Sequence, residues 1–405
     1  MVSKNNIKIL HICTFDRGGA FQSVYNLHIG LLNESIDSKI LVLKKTDEKL
    51  VQVYCFLDNR SFIRKVADSL NFRIYKWKKK PYLKPKPKNI YSFPSSPYDV
   101  LRHPLVQASS IIHLHWISGF LNYRTFFKKV NKPVFWTLHD KNPFSGGSHF
   151  SSYEEPSYRR LDASIILKKA KALSFARDIA IVSPSGWLYK EAKSSEVLKN
   201  FEHYIVPYGL DTKLFKTKDK ICSRKLLKLP ENKKIILFVA DSLKDTRKGF
   251  SHLAEALKFF SDDDLLLVTV GSGMITTEEN KTTSFGYVKN KEDLSRIYSA
   301  ADTFVIPSIE DNLPNTVLES LACGTPVVGF NVGGIPDMIR HKFNGFLVNK
   351  ISGKSLASGI NYVLNHPSLY EKDKIRKDFL DKFDLQNQAL KYIELYQNKL
   401  DDLVI

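Results

Sequence analysis

Short apolar segments recur along the whole chain, and each is followed by a turn and then by a helical pattern of apolar and polar residues. In the first half they are "IKILHICTF", "SIIHLHWI", "PVFWTLH", "DIAIVSPS" and "HYIVPYG"; in the second half they are "KIILFVA", "LLLVTVG", "DTFVIPS" and "TPVVGF". Buried strands that alternate with helices are typical of parallel sheets covered by helices on both faces. The pattern therefore predicts an α/β fold of the doubly wound, Rossmann-like type.

The series of strands and helices occurs twice, which predicts two domains. Turn residues and lysines replace the apolar pattern around "PYGLDTKLFKTKDK" at residues 207–220. We assign residues 1–208 to the first domain, 209–385 to the second, and 386–405 to a final helix that packs back toward the first. Two such domains would face each other across a cleft, and ligands would bind beyond the carboxyl ends of the strands.

Residues 72–88, "FRIYKWKKKPYLKPKPK", break the pattern with many cations, no acids, interleaved aromatic residues and three prolines. Because alternating proline and lysine are incompatible with a regular helix, we predict a loop here, within a basic excursion of residues 72–105. Aromatic residues beside lysines suit an anionic membrane surface or stacking on nucleic-acid bases. A solvated basic loop explains the composition equally well.

The chain carries 61 lysines and arginines against 42 acidic residues, a formal net charge of +19. This surplus favours a partner of negative charge, although a lysine-rich, well-solvated surface also accounts for it. The 4 cysteines are widely separated, without a CxxC spacing, which argues against a disulfide framework or a zinc ribbon. We expect a cytoplasmic protein, because no apolar run could span a bilayer and the first strand leaves no room for a signal peptide.

The segment "SIEDNLPNTVLESLACGTPVVGF" predicts an anion-binding helix start. A loop follows the strand "DTFVIPS", and a helix then begins at Asn315 or Thr316, either of which can cap it. Gly324 and Pro326 end that helix. The backbone N–H groups from Leu313 to Val317 would then be available to a phosphate.

Charged side chains surround this predicted phosphate site. Asp311 precedes it and Glu319 lies about one turn inside the helix, so both carboxylates can reach one ligand. Arg247 and Lys248, beside Gly249, lie where an earlier loop becomes a helix. Such an Arg-Lys pair is commonplace, but together with the phosphate site it favours binding of a diphosphate without a metal ion.

These motifs resemble the retaining glycosyltransferases of family 4, which have the GT-B fold. "DNLPNTVLESLACGTPVVGFNVGGIPDMI" resembles their acid-x7-Glu motif, "PYGLDTKLF" their interdomain signature, "RKGF" their diphosphate-binding lysine region, and "FGYVKNKEDLSRIYSAADTFVIPS" the segment lining their base pocket. In the first half, "FDRGGAFQSVYNL" resembles their glycine loop. "HLHWISGF" and "VFWTLHDKNPFSGGSHF" resemble a subgroup that assembles bacterial polysaccharides. The resemblance covers nearly the whole chain, in the same order.

The resemblance implies a role for each matching residue. Glu319 would bind the ribose hydroxyls, Arg247 and Lys248 the diphosphate, and Asp311 the sugar hydroxyls. The implied site consists of the catalytic residues His139 and Asp311 and the donor-binding residues Gly18, Gly19, Arg247, Lys248, Tyr287, Val288, Asn312, Leu313, Pro314, Asn315, Thr316 and Glu319. Here Gly18 and Gly19 approach the phosphate, His139 lies near the reacting sugar, and Tyr287 and Val288 border the base. The resemblance implies no metal and no cofactor.

Two positions depart from the family pattern. The first acid of the motif is usually glutamate, whereas the spacing here selects Asp311, and Glu310 is one residue away. The arginine usually found six positions before the lysine is Ser242, and Arg247 is expected to compensate. The first departure leaves the identity of the donor open.

Three histidines allow more than one interpretation from the residues alone. His113 and His115 share one strand face, where packing or a lining of the acceptor site is favoured over zinc, which would need further ligands. His139 ends an apolar strand and is either structural or catalytic from the residues alone. Its neighbour Asp140 would orient the ring or cap the next turn.

The resemblance implies a retaining, metal-independent hexosyltransferase of lipopolysaccharide or capsule assembly. It would move a sugar from a UDP- or GDP-sugar to a lipid-linked oligosaccharide or polysaccharide, in the cytoplasm or peripherally at the inner membrane face. An anionic membrane surface is a further candidate partner. Three alternatives stay open: a nucleotide-sugar 2-epimerase of the same fold, a non-catalytic sugar-binding protein, and a basic nucleic-acid-binding protein. The last gives no reason for Glu319 to face a phosphate site, and we expect no nucleic-acid partner.

Overall fold

The computed structural model describes residues 7–58, 62–84, 86–87, 89–151, 155–261, 264–273, 275 and 282–402. The chain divides into two compact units, one of Met1–Pro207 with Gln388–Ile405 and the other of Tyr208–Asn387. Each unit contains its own parallel sheet and its own apolar core.

In the described part of the first unit, a parallel sheet of seven strands has the order β3-β2-β1-β4-β5-β6-β7. The strands are β1 (Lys8–Phe15), β2 (Asp37–Lys44), β3 (Val53–Cys55), β4 (Ile111–Leu114), β5 (Val134–Thr137), β6 (Ile179–Ser183) and β7 (Glu202–Ile205). The central strands β4, β5 and β6 are buried along their whole length, as expected for a sheet covered on both faces. His11 of β1 lies directly opposite His113 of β4.

Helices flank this sheet. They are α1 (Gly18–Asn33), α2 (Phe62–Lys79), α3 (Pro104–Ala108), α4 (Tyr123–Lys129), α5 (Arg159–Leu173) and α6 (Gly186–Ser194). The last helix of the chain, α13 (Leu385–Asp401), adds Tyr392 and Tyr396 to an apolar cluster of the first unit that also contains Ile9 and Leu27.

The loop predicted from residue 72 onward is wrong for its first part. Helix α2 runs through Lys79, and a 3-10 helix follows at Lys80–Tyr82. The prolines that argue against a helix begin only at Pro81, which occupies the first turn of the 3-10 helix, where proline is tolerated. Residues 85 and 88 lie outside the described residues, so the remaining Pro-Lys alternation is only partly covered.

In the described part of the second unit, a parallel sheet of six strands has the order β10-β9-β8-β11-β12-β13. The strands are β8 (Lys234–Ser242), β9 (Leu265–Ser272), β10 (Thr282–Ser284), β11 (Thr303–Ile306), β12 (Val327–Phe330) and β13 (Gly345–Val348). The helices are α7 (Lys220–Leu226), α8 (Phe250–Leu257), α9 (Lys291–Ala300), α10 (Asn315–Ala322), α11 (Gly353–Asn365) and α12 (Lys372–Phe383).

Helix α10 has the predicted start and end but a different cap. Asn315 is its first residue, and Pro314 occupies the N-cap position without a side-chain hydrogen bond to the helix. The prediction that Asn315 or Thr316 caps the helix is therefore wrong, because both lie inside its first turn. The helix ends at Ala322, and Gly324 follows with a φ of 72°.

The order of strands brings two loops to one edge of the second sheet. Strands β8 and β11 are parallel neighbours, so their carboxyl ends meet at the same edge. After β8, a 3-10 helix at Thr246–Lys248 leads through Gly249 into α8. Gly249 has a φ of 70°, and a Cβ there would lie 1.8 Å from the carbonyl oxygen of Pro307. Only glycine allows the two loops to approach this closely.

None of the helices within the described residues is both long and apolar enough to cross a membrane.

Candidate functional site

Two cations and a carboxylate form an ion-paired group in the second unit. Lys248 Nζ lies 2.6 Å from Asp311 Oδ2, and Arg247 Nη1 lies 3.3 Å from the same oxygen. Ser308 Oγ donates a hydrogen bond to that oxygen over 3.3 Å. Burial alone would raise the pKa of the Asp311 carboxyl, but Lys248 and Arg247 outweigh burial and lower it below its ordinary value. Asp311 is therefore ionised at neutral pH.

Arg247 also ties the two loops together. Its Nη1 donates to the backbone carbonyl of Glu310 over 2.9 Å, and its own carbonyl accepts from the N–H of Ile309 over 3.0 Å. Its Nη2 lies 3.3 Å from Asp245 Oδ2. The guanidinium is buried, so its charge is fixed in place. The spacing selected Asp311 over Glu310, and in the structure the Asp311 carboxylate contacts both cations.

A glycine turn after β12 packs against the backbone of Asp311 and forms a hydrogen bond with it. The N–H of Gly334 donates to the carbonyl of Asp311 over 3.0 Å. Gly333 has a φ of 56°, and a Cβ there would lie 2.0 Å from the same carbonyl oxygen. The sequence analysis assigned no role to Gly333 or Gly334. The "VGG" sequence after a buried strand was the signal, since paired glycines mark a close backbone approach.

Glu319 lies half-buried on α10 and is held by α9. Tyr298 Oη donates to Glu319 Oε2 over 2.9 Å. Burial raises the pKa of the Glu319 carboxyl to about 7, although the Tyr298 hydroxyl and the Lys291 ammonium oppose this shift. Sequence reasoning missed Tyr298 and Lys291, because the helical pattern of "KEDLSRIYSA" makes Tyr298 an ordinary core residue.

The other donor-binding candidates of this unit lie around α10 and after β10. Asn312, Leu313 and Pro314 are buried in the loop, while Asn315 and Thr316 are half-buried in the first helical turn. The N–H of Val317 donates to the carbonyl of Pro314 over 3.0 Å, so the prediction that the N–H groups through Val317 are available is wrong for this residue. The positive end of the helix dipole still favours an anion at the start of α10. Val288 packs partly against the core of the unit, and Tyr287 is 65% exposed.

The first unit places its candidates at the carboxyl edge of its own sheet. Gly18 and Gly19 are exposed at the start of α1, directly after β1. Gly18 has a φ of 84°, and a Cβ there would meet no atom within 4 Å, so its conformation rather than crowding favours glycine. His115 follows β4 and His139 follows β5, and these strands neighbour β1 in the order β1-β4-β5.

Three of the histidines form a hydrogen-bonded chain. His139 Nε2 lies 3.2 Å from His115 Nδ1, and His115 Nε2 lies 2.9 Å from His11 Nδ1. Burial lowers the pKa of His139 to about 4 and holds the pKa of His115 and of His11 well below the ordinary value. The three rings are therefore neutral at pH 7, and each carries one proton.

His11, at one end of this hydrogen-bonded chain of histidines, determines which nitrogens carry the protons. His11 Nε2 is buried and has no hydrogen-bond partner among the described residues. A buried N–H without an acceptor is rarer than a buried acceptor without a donor, so the proton of His11 belongs on Nδ1, where it is donated to His115. His115 then donates from Nδ1 to His139 Nε2, and His139 carries its proton on Nδ1.

The same region contains the residues best able to hold a metal ion. One ligand atom from each of His11, His113 and His115 lies within 4.8 Å of the others, and three imidazoles can bind zinc. Hydrogen bonds, however, already engage both nitrogens of His113, at 2.6 Å to Tyr396 Oη and 2.7 Å to Thr137 Oγ1. The neutral hydrogen-bonded network thus accounts for these rings without an ion. His11 escaped sequence reasoning because it lies about a hundred residues from its partners.

Asp140 anchors the loop that follows His139. It accepts hydrogen bonds from Trp116 Nε1 at 3.0 Å, from His149 Nδ1 at 2.6 Å and from the N–H of Asn142 at 2.9 Å. The bond from Asn142 is the turn-capping role considered for Asp140. Burial raises its pKa, but His149 and the other donors lower it below the ordinary value.

Lys169 holds the same loop from α5. It is fully buried, and its Nζ donates to the carbonyls of Ser145 at 3.0 Å and Gly146 at 2.7 Å and to that of Asn142. Burial lowers its pKa to about 7. No sequence signal separates Lys169 from the other lysines of "LKKAKAL".

Comparison with known proteins matches residues 219–378, which lie within the second unit, to the family described as glycosyl transferases group 1. An uncharacterized glycosyltransferase of Methanocaldococcus jannaschii is 30% identical over 312 residues, 72% of this chain and 76% of that protein. An uncharacterized protein in the cps region of Klebsiella pneumoniae is 22% identical over 399 residues, 97% of this chain and 100% of that protein. Several other relatives are matched over less than half of their own length.

Many solved structures match over nearly the whole chain, and two of them serve as examples. Sucrose-phosphate synthase from Thermosynechococcus elongatus has a TM-score of 0.70 at 18% identity and covers 98% of this chain and 100% of its own. Anabaena HepE in complex with UDP-glucose has a TM-score of 0.67 at 16% identity and covers 97% of this chain and 100% of its own. The predicted α/β fold of GT-B type is confirmed by these likenesses and by the two parallel sheets.

Proposed function

We propose a donor, a mechanism and an acceptor for this chain, which belongs to the glycosyl transferases of group 1. The donor is a UDP- or GDP-sugar, and the transferred group is a hexose. One observation carries the proposal: Lys248 and Arg247 converge on Asp311 in the loop that leads into α10. Fixed cations and a helix start together provide the positive potential that a diphosphate needs. The complex of HepE with UDP-glucose supports the donor class.

Each part of the donor is assigned to residues of the site. Glu319 binds the ribose hydroxyls, since an ionised carboxylate can accept two hydrogen bonds from a vicinal diol. Asp311 and the N–H groups of 312–316 bind the sugar hydroxyls and the phosphate. The assignment is completed by Tyr287 and Val288 at the base, Gly18 and Gly19 at the phosphate and His139 at the reacting sugar.

The proposed reaction retains the configuration of the sugar. The bond between the anomeric carbon and the diphosphate oxygen breaks, while the acceptor hydroxyl attacks the same face and forms the new glycosidic bond. The hydroxyl proton passes to the departing phosphate. Lys248 and Arg247 stabilise the charge that grows on that phosphate, which is the kind of interaction that lowers barriers most. Because these side chains supply fixed positive charge, the proposed mechanism is metal-independent.

The proposed acceptor is a hydroxyl of a lipid-linked oligosaccharide or polysaccharide, used in lipopolysaccharide or capsule assembly at the inner membrane face. The similar protein in the cps region of Klebsiella pneumoniae supports this class of acceptor. The acid-x7-Glu motif formed by Asp311 and Glu319 supports membership of the retaining family 4. Among the described residues, no observation favours the epimerase, the non-catalytic protein or the nucleic-acid-binding protein.

Calorimetric titration tests the donor site. Wild-type protein is titrated with UDP-glucose and GDP-mannose, and we expect one of them to bind in the micromolar to millimolar range. Lys248→Met should weaken that binding about 10- to 100-fold, because a charge-assisted contact to the diphosphate is lost. Lys258→Met removes an exposed lysine just after α8 and is the matched control. Absence of binding, or equal affinity in both variants, would contradict the proposal.

A transfer assay separates the remaining alternatives. Release of an epimerised free sugar without an acceptor would identify an epimerase, and a bound donor that is neither transferred nor hydrolysed would identify a non-catalytic protein. Steeply salt-dependent binding of an oligonucleotide would identify a nucleic-acid-binding protein.

A further inference from the structure

Helix α2 presents a continuous row of apolar side chains to solvent. The row consists of Ile63, Val66, Leu70, Ile74 and Trp77, which are 79%, 53%, 57%, 41% and 73% exposed. Their spacing of three and four residues places all of them on one face of the helix. Single exposed apolar residues are ordinary, but a row along a whole helix face marks an interaction surface.

The opposite face of α2 is the one that packs against the first unit. Asp68 is buried, and Phe72, Tyr75 and Lys79 are half-buried. The ring of Phe72 stacks on that of Tyr98, with the centroids 6.2 Å apart. Because successive residues turn by about 100° around a helix, the packed row and the apolar row point in nearly opposite directions. The apolar row is therefore an outward surface and no part of the core.

Cations border the apolar row on both sides. Lys78 lies on one border and Arg73 on the other, and Arg64, Lys65 and Lys76 lie further round the helix toward the packed row, all of them exposed. The single acid of the helix, in the sequence "FIRKVADSLNFRIYKWKK", belongs to the packed row. The outward surface of α2 thus has an apolar centre, a tryptophan near one end and positive borders.

We propose that α2 lies in the interfacial layer of an anionic lipid bilayer. The row from Ile63 to Trp77 inserts at the level of the upper acyl chains, and the bordering cations contact the negative headgroups. This pattern selects a membrane over other partners. Nucleic acid offers no contact for an aliphatic row, and a second copy of the chain would bring like charges together along both borders. None of the residues of this surface is assigned to the donor site, so the two proposals can fail independently.

Sedimentation with vesicles tests the proposal on the full chain. Vesicles of neutral phosphatidylcholine are compared with vesicles that also contain about 30% phosphatidylglycerol. Wild-type protein should sediment with the anionic vesicles, and Leu70→Ser combined with Trp77→Ser should lower the partition coefficient at least about tenfold. The control is Leu167→Ser, which removes a 71% exposed leucine from α5 and should behave as wild type. UDP-glucose binding should be equal in all three proteins.

Two further measurements separate insertion from adsorption. Replacing Arg73, Lys76 and Lys78 together by glutamine should abolish the preference for anionic over neutral vesicles. Lipids brominated in their acyl chains should quench tryptophan fluorescence in the wild type, and Trp77→Phe should remove that quenching. The proposal is overturned if wild-type protein stays in the supernatant, or if the double variant sediments like the control. It is also overturned if the double variant dissociates a stable dimer.

Discussion

The two units place different chemistry at the carboxyl ends of their parallel sheets. In the second unit, Lys248 and Arg247 are ion-paired with the carboxylate of Asp311. In the first unit, His115 and His139 belong to a chain of neutral imidazoles. Both arrangements are rigid, because each side chain is held by several partners or by burial.

The difference shows which kind of chemical group each edge can bind. Fixed cations attract a diphosphate and stabilise the charge that grows on it. Neutral rings attract no phosphate, but a ring with one defined donor and one acceptor can form hydrogen bonds with uncharged hydroxyl groups. We infer that the charged edge suits an anionic group such as a diphosphate and that the neutral edge suits uncharged hydroxyl groups.

The largest effect is expected from Asp311→Asn, which removes a charge from the charged edge. Lys248 and Arg247 then lose their anionic partner, and the contact that we propose with the sugar hydroxyls is weakened. Turnover of the nucleotide sugar should fall about 100-fold or more. Product formation measured by chromatography checks this. Asp293→Asn, on the exposed first turn of α9, is the control and should keep wild-type turnover. Equal turnover in both variants would show that Asp311 takes no part in the reaction.

The next effect concerns the packing that brings the charged loops together. Gly249→Ala should lower the free energy of unfolding of the second unit by about 3 kcal/mol, because the new Cβ would overlap the Pro307 carbonyl. Gly286→Ala is the matched control. It has a similar φ of 62° but no atom within 4 Å of its Cβ, and should cost only about 1 kcal/mol. Hydrogen exchange of the β8 amides checks both variants, and equal costs would show that the crowding is relieved by movement of the loop.

The charged edge was largely predictable from the sequence. Each of its loops follows an apolar strand with a clear turn signal, and each charged residue lies within a few positions of a helix start. Alternation of strands and helices also identified the fold class. The hydrogen bonds from Gly334 to Asp311 and from Tyr298 to Glu319 were not predictable, because those contacts come from neighbouring strands and helices.

The neutral edge was predictable only in part. His113 and His115 share a strand face from their spacing alone, but the pairing of β1 with β4 brings His11 beside them. Sequence does not specify which strands are neighbours across about a hundred residues.

Helix α2 was missed for a different reason. The prolines near the end of the basic segment concealed the helical spacing of the residues before them.

Stability against acid tests the neutral edge. His139 has a pKa of about 4 in the folded chain against an ordinary value of 6.5, as has His28, a buried residue of α1 in the same unit, so the unfolded chain binds more protons between these values. The contribution of each ring to the free energy of unfolding is therefore fully present above pH 6.5 and falls as the pH drops below it. At pH 5 each such ring should lower the free energy of unfolding by about 2 kcal/mol relative to pH 7.

Tryptophan fluorescence isolates this effect, because Trp77, Trp116, Trp136 and Trp187 all belong to the first unit. In urea titrations, the free energy of unfolding should fall between pH 7 and pH 5 by about 2 kcal/mol less in His139→Asn than in the wild type. His366→Asn, in the second unit, should leave the fluorescence transition unchanged. If the wild-type transition does not move with pH, the rings are not held neutral.

The smallest effect is expected at Glu319, whose pH dependence has the opposite sign. Its folded pKa of about 7 lies above the ordinary value of 4.5, so its protonation stabilises the folded chain and that contribution is lost as the pH rises from 4.5 to 7. The ionised form is the one that accepts bonds from a ribose. Affinity for UDP-glucose should therefore rise about tenfold from pH 6 to pH 8. UDP-glucose is preferred to UDP as the probe, because UDP has a terminal phosphate that titrates near the same pH. Calorimetry with Glu319→Gln should give a weaker affinity that is independent of pH. If the affinity of Glu319→Gln for UDP-glucose still rises with pH, another group titrates, and Glu319 is only a structural partner of Tyr298.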